Sequence, residues 1–157
     1  MESTIPSLDL KAIRLLMFFN VPEAAAMIGG TDERTWASWE AGEQPLPEEV
    51  AIKFATILDW YKGSLQRMRQ CILANPNKLM VSLWYDTLDD WLSLDIHEPV
   101  LWRPEQAVTA AVLGEFTDQL KVIKFNLPKY AEWLGARQDS QESRGAWSYG
   151  LAEKYLR

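Results

Sequence analysis

The chain has 157 residues, 48% of them hydrophobic and eight of them tryptophan, which excludes an intrinsically disordered chain and predicts well-formed cores. One cysteine (Cys71) and one histidine (His97) exclude an internal disulfide framework and a cysteine-based metal site, and they argue against zinc or a histidine triad. The net charge of −6 is evenly spread, with seven Lys and Arg against ten Asp and Glu in residues 1–72 and nine against twelve beyond; no basic tail is available for nucleic acid.

Taken in order, MESTIPSLDLK lacks the basic start and apolar run of a signal peptide. No stretch reaches ~18 uncharged apolar residues, so the expectation is a cytoplasmic protein that does not touch a membrane. Residues 8–19 predict a first helix with Leu8, Ile13, Leu16 and Met17 on its apolar face. Ser7 is its expected N-cap, and Asn20 the left-handed residue that ends it. Pro22 opens a second helix that runs to about Ile28. A third covers roughly Asp32 to Ala41 and stops at Gly42. Glu48 and Glu49 open a long fourth helix, whose stripe Val50, Phe54, Ile57, Leu58, Tyr61, Leu65, Met68 and Ile72 keeps helical spacing. Asn75-Pro76-Asn77 ends it.

Beyond that break the period changes. Leu79 to Tyr85 and Lys121 to Phe125 read as strands, the first pairing either across a two-fold axis or within one subunit. Leu88 to Leu94, Pro104 to Phe116 and Leu127 to Leu134 read as helices, with Asp86 as the expected cap of the first. The last dozen residues, with Trp147, Tyr149 and Tyr155, are too apolar for a free tail and are expected to dock. The resulting fold class is mainly α: a helix-turn-helix bundle of four to five helices in residues 1–74, then a small α/β (α+β) dimerisation or partner domain in residues 75–157.

The segment Val21 to Gly42 carries the functional signal. Ala24, Ala25 and Ala26 allow close helix approach, Gly29-Gly30 break the helix, and Thr31 or Asp32 can cap the next. Trp36 and Trp39, at i and i+3, point to the core. The opposite side would present the start of the third helix to a DNA groove. There Arg34 can grip guanine O6 and N7, Glu33 can accept from cytosine N4, and Thr31, Thr35 and Ser38 can reach base or phosphate. Asp32 and Glu33 have an equal claim as carboxylates complementing a helix dipole, and Glu23 faces the same choice. Gln44 is a phosphate candidate. Lys11 and Arg14 on the first helix complete the set, Arg14 with the second option of pairing with Glu40 inside the domain.

The spacing of Ala26, Gly30, Trp39-Glu40 and Gly42 resembles the lambda-repressor/Cro class. The wider pattern LKAIR, then Trp36 to Pro47, and later Trp102-Arg103 with Gln106-Ala107-Val108, resembles the bacterial YdiL-like regulators, whose relatives include anti-CRISPR-associated regulators. That resemblance implies a dimeric repressor of its own operon, reading double-stranded DNA as a homodimer. Two positions depart from the lambda-like pattern. Glu23 stands where many such domains have a Gln that donates to phosphate, and Leu16 stands where an Arg is frequent, this chain's Arg being at 14.

Other readings draw on other residues. Asp86, Asp89, Asp90, His97 and Glu98 form the only dense polar group; carboxylates so spaced can bind magnesium or act as acid and base, but they serve equally as a solvated first helical turn. With no phosphate loop or nucleophile motif, the expectation is a non-enzyme without cofactor or metal. A protein-interaction module reusing the fold without specific DNA binding is the alternative. RNA is a third partner class, suggested by the basic and aromatic residues around Trp102, Arg103, Lys121 and Lys124.

Overall fold

The computed structural model describes residues 5–154, so the Tyr155 expectation lies outside the described residues. Helix α1 spans Ser7–Leu16, and Pro6 rather than Ser7 occupies its N-cap, without a side-chain bond. Its other end differs from expectation as well. Phe18, at φ 70°, is the left-handed residue. The Phe18 and Phe19 N–H groups donate to the carbonyls of Leu15 and Arg14 at 3.1 and 3.2 Å, closing the helix in a Schellman-type turn. Asn20 stays extended because its side chain is engaged as a cap. It accepts from Glu23 N at 2.8 Å, while Glu23 Oε1 accepts from Asn20 N at 3.0 Å. This capping box starts α2, Val21–Ala24.

Helix α2 widens into a π-helical turn, Ala25–Gly29, ended by left-handed Gly30. Gly29 is dictated by packing, since a Cβ there would lie 3.0 Å from Thr31 Cγ2 and 3.1 Å from the rings of both Trp36 and Trp39. Helix α3, Glu33–Glu40, buries those two tryptophans edge to face, 5.6 Å apart. Helix α4, Glu48–Ala74, follows the apolar stripe: Val50, Phe54, Ile57, Tyr61 and Ile72 are buried.

Strands β1, Met80–Trp84, and β2, Leu120–Lys124, pair in parallel within one chain, Met80 opposite Leu120 and Trp84 opposite Lys124. Parallel strands need a long crossover. It consists of α5, Leu88–Leu92, a 3₁₀ turn at Pro99–Leu101, and α6, Trp102–Glu115. Thr87, not Asp86, caps α5, accepting from Asp90 N at 3.1 Å; Asp86 instead pairs with Lys124 across the sheet at 3.3 Å. Helices α7, Leu127–Leu134, and α8, Gln141–Glu153, complete the chain, and α8 packs on the sheet. Trp147 on α8 is buried as expected of a docked segment, whereas Tyr149 is exposed.

The apolar interior forms two clusters. The first joins α1–α4 to α6, with Phe54, Trp36 and Met17 in one cluster with Ala107, Val108 and Val112. The second lies on the far side of the sheet, where Trp147 packs on Phe125 and Tyr130, and Tyr85, Phe125 and Tyr130 surround the guanidinium of Arg144. Arg144 Nε and Nη2 donate to Asp139 at 3.0 and 2.8 Å, and the Tyr130 hydroxyl donates to the same carboxylate at 2.6 Å.

Two outcomes follow from this packing. Gly29→Ala is expected to cost about 1–3 kcal/mol, because rigid indoles stand where the methyl must go; urea midpoints will measure it, and an unchanged midpoint would mean the tryptophans yield freely. The bonds from Arg144, then Tyr130, hold the Asp139 carboxyl below its ordinary value. A lowered carboxylate adds stability above its ordinary pKa of about 3.9, which is lost as pH falls through the lowered folded value. Asp139→Asn should therefore melt below the parent at pH 7, and the difference should shrink on acidification into that range.

Candidate nucleic-acid interface

Helix α3 has two unlike sides. Trp36 and Trp39 are turned inward, as their spacing predicts, and Glu33, Arg34, Ala37 and Ala41 face solvent. Thr31, Thr35 and Ser38 are half-buried along its flanks. Asp32 is the N-cap: its Oδ1 accepts from Thr35 N at 2.7 Å, and that bond, before any other cause, lowers the carboxyl's pKa. Ser38 Oγ donates to the Thr35 carbonyl at 2.6 Å and lies 3.4 Å from Gln44 Oε1, bringing Gln44 to the carboxyl end of α3. The structure therefore groups Thr31, Asp32, Glu33, Arg34, Thr35, Ser38 and Gln44 on one helix and its flanking turns. Lys11 is exposed on α1, which packs against α3.

Two residues expected to contact DNA are engaged elsewhere. Arg14 is 6% exposed. Its Nε and Nη2 donate to Glu40 at 2.6 and 3.0 Å, and its Nη1 donates to the Phe19 carbonyl at 2.9 Å. The intradomain option thus holds, and Arg14 is removed from the contact set because every nitrogen of its fork is used inside the domain. Glu23 takes the structural side of its two options. Besides capping α2, it accepts from Arg103 Nε at 2.9 and 3.1 Å. Arg103, 80 residues away, also donates to Gln106 Oε1 at 2.8 Å and lies 3.9 Å over the Trp102 ring. Sequence reasoning placed Arg103 among RNA candidates; its place here is a clamp between α2 and α6. The only sequence hint of that clamp is an acid where lambda-like domains carry Gln.

The remaining basic candidates sit apart from α3. Lys121, Lys124 and Lys129 border a shallow depression beside Trp147 and Leu151. Trp102 is buried, with its indole N–H donating to the Tyr85 carbonyl at 2.8 Å. The polar group of the enzyme reading is dispersed: Asp86 pairs with Lys124, and His97 stacks on Trp91 with ring centres 3.6 Å apart. Among the described residues, no group of three His, Cys, Asp or Glu is arranged to hold a metal, and no single helix is long and apolar enough to cross a membrane.

This geometry separates stability from surface chemistry on neighbouring elements. Arg14→Ala leaves the Glu40 carboxylate buried without its main partner and should cost about 3–5 kcal/mol in chemical denaturation. Arg34→Ala, at an exposed position, should stay within about 0.5 kcal/mol of the parent.

The comparisons with known proteins converge on this region. A family model described as Aca2/YdiL-like matches residues 5–121, from the first described residue into β2. The Aca2 repressor of Pectobacterium phage ZF40 is 31% identical over 110 residues, covering 68% of this chain and 91% of that protein. The matched span contains α1 to α6, including the Trp36–Glu40 core, the Glu23–Arg103 clamp and the exposed start of α3. With the family model covering most of its length, the chain belongs to the Aca2/YdiL-like family.

Proposed function

We propose that the chain is a DNA-binding transcriptional regulator, a repressor acting as a homodimer on a palindromic operator. One observation carries the reading: α3 buries both tryptophans and leaves Glu33 and Arg34 exposed, with Thr35 and Ser38 half-buried beside them. Helix α2 with its π turn, the Gly29-Gly30 break and α3 supply the two elements of a helix-turn-helix, α3 being the reading helix. The relative named a repressor agrees with that use.

In this reading Arg34 makes the bidentate contact to guanine, and Thr31, Thr35, Ser38, Gln44 and Lys11 supply phosphate or base-edge contacts. Glu33 accepts from cytosine, while Asp32 acts mainly by capping and so orienting α3. The exposed face is not basic, since Asp32 and Glu33 immediately precede Arg34. Affinity must then rest on two copies binding together, with half-sites about 34 Å apart. The C-terminal half, residues 75–157, supplies the dimer contact. We assign no catalysis and no cofactor, and the site of action is the cytoplasm.

A second reading, a protein-interaction module without specific DNA binding, draws support from the acidic balance and from Glu23, which donates nothing to phosphate. Selection from a random duplex library separates the two. The regulator reading expects an enriched palindrome whose binding falls steeply with salt. Arg34→Ala should weaken it by about 1–3 kcal/mol, and Arg34→Glu should abolish it. Equal enrichment by Arg34→Glu, or none by the parent, would sink the assignment. Sedimentation at micromolar concentration should give twice the chain mass; a strict monomer would remove the dimer.

A further inference from the structure

Between β1, α6 and α8 lies a cavity of about 350 Å³, within the range of small-molecule sites. It is remote in composition from α3: no residue of that helix lines it. One side is aromatic. His97 stacks on Trp91 almost in parallel, Tyr85 meets both rings edge-on at 5.3 Å, and the half-buried Trp60 of α4 joins them. Val81, Leu83, Ile96 and Leu101 add an aliphatic lining.

The polar groups of this cavity are almost all engaged. Arg144 is neutralised by Asp139, and its Nη1 lies 3.4 Å from the Tyr85 hydroxyl. Ser148 Oγ donates to the Gly145 carbonyl at 2.8 Å, and Ser82 shares a 3.3 Å hydrogen bond with Thr109. His97 Nδ1 sits 2.6 Å from the Trp91 carbonyl, so Nδ1 carries the proton in that bond and Nε2 is left as an acceptor. Burial favours that neutral ring. Glu98 and Gln141 also line the cavity, at exposed positions; the half-buried exception is Glu105, one turn into α6. Its partly buried carboxyl lines the cavity and has no hydrogen bond or ion pair among the described residues.

A carboxylate withdrawn from water without a donor is costly, and an incoming N–H cation relieves that cost. Aromatic faces around it favour the same sign of charge. We propose that this cavity binds a small organic cation, an ammonium group on an apolar body, with Glu105 receiving its N–H donors and the Trp60, Tyr85 and Trp91 rings enclosing the rest. Burial also holds the Glu105 carboxyl above its ordinary pKa, as expected of an acid awaiting a partner. A divalent metal fits less well, since Glu105 has no cluster of further ligands around it.

The test uses the full chain and three probes of one shape: phenethylammonium, phenethyl alcohol and phenylacetate, each followed through the tryptophan indole N–H resonances. The expected result is a saturable shift with the ammonium and at least tenfold weaker binding of the other two. Glu105→Gln should weaken the ammonium at least tenfold while melting at or above the parent temperature at pH 7, because it removes a half-buried carboxylate that has no donor. Trp60→Leu, on the aromatic side, should weaken it as well. Equal binding of the alcohol, full retention by Glu105→Gln, or no saturable shift with any probe would overturn the proposal. None of these readouts involves DNA, so their failure leaves the regulator reading untouched.

Discussion

The Glu40 carboxylate organises the N-terminal half of the molecule. Three donors from two helices converge on it: Nε and Nη2 of Arg14 on α1, and the indole N–H of Trp36 on α3 itself. Arg14 and Glu40 are almost fully withdrawn from water, their side chains 7% and 8% exposed, so neither charge is tolerable without the other. Completing the hydrogen bonding of both fixes how α3 rolls on α1, and that roll decides which residues of α3 face solvent. The exposure of Arg34 is a consequence of the burial of Trp36, Trp39 and Glu40.

From that hub the packing runs without a break into the second half. Phe54 on α4 meets the Trp36 ring system at 6.3 Å, and α4 in turn lies along α6. Helix α6 reaches back through Arg103 to the carboxylate that caps α2. Gln106, one turn further, receives Arg103 Nη1 and donates to the Tyr85 carbonyl at the end of β1. Helix α3, the clamp and the sheet are thereby mechanically continuous. A buried polar network of this kind rigidifies a fold when every member is satisfied, and the fully buried side-chain polar atoms described here all have partners.

The acidic balance is easier to understand once the ion pairs are placed. Arg14, Arg103 and Arg144 are committed to Glu40, Glu23 and Asp139, all inside the structure or at element junctions. Internal pairing leaves the surface charge to residues such as Glu33, Arg34, Glu43 and Lys11, and there acids prevail.

Much of the architecture is determined by short-range order in the sequence. The stripe from Val50 to Ile72 dictates α4 nearly to the residue, the i and i+3 tryptophans dictate the buried side of α3, and Asp32 dictates where that helix begins. These are local effects: helical periodicity and first-turn hydrogen bonds involve residues at most a few positions apart. Local choices with a close competitor went the other way. Phe18 rather than Asn20 took the left-handed turn because Asn20 was needed as a cap, and Thr87 displaced Asp86 at α5. What only the tertiary structure decided is which distant residues meet. Glu23 finds Arg103 across 80 positions, β1 pairs with β2 inside one chain, and Glu105 ends in a cavity with no partner among the described residues. Such encounters depend on how helices stack and on which charges survive desolvation, and spacing along the chain carries no record of either.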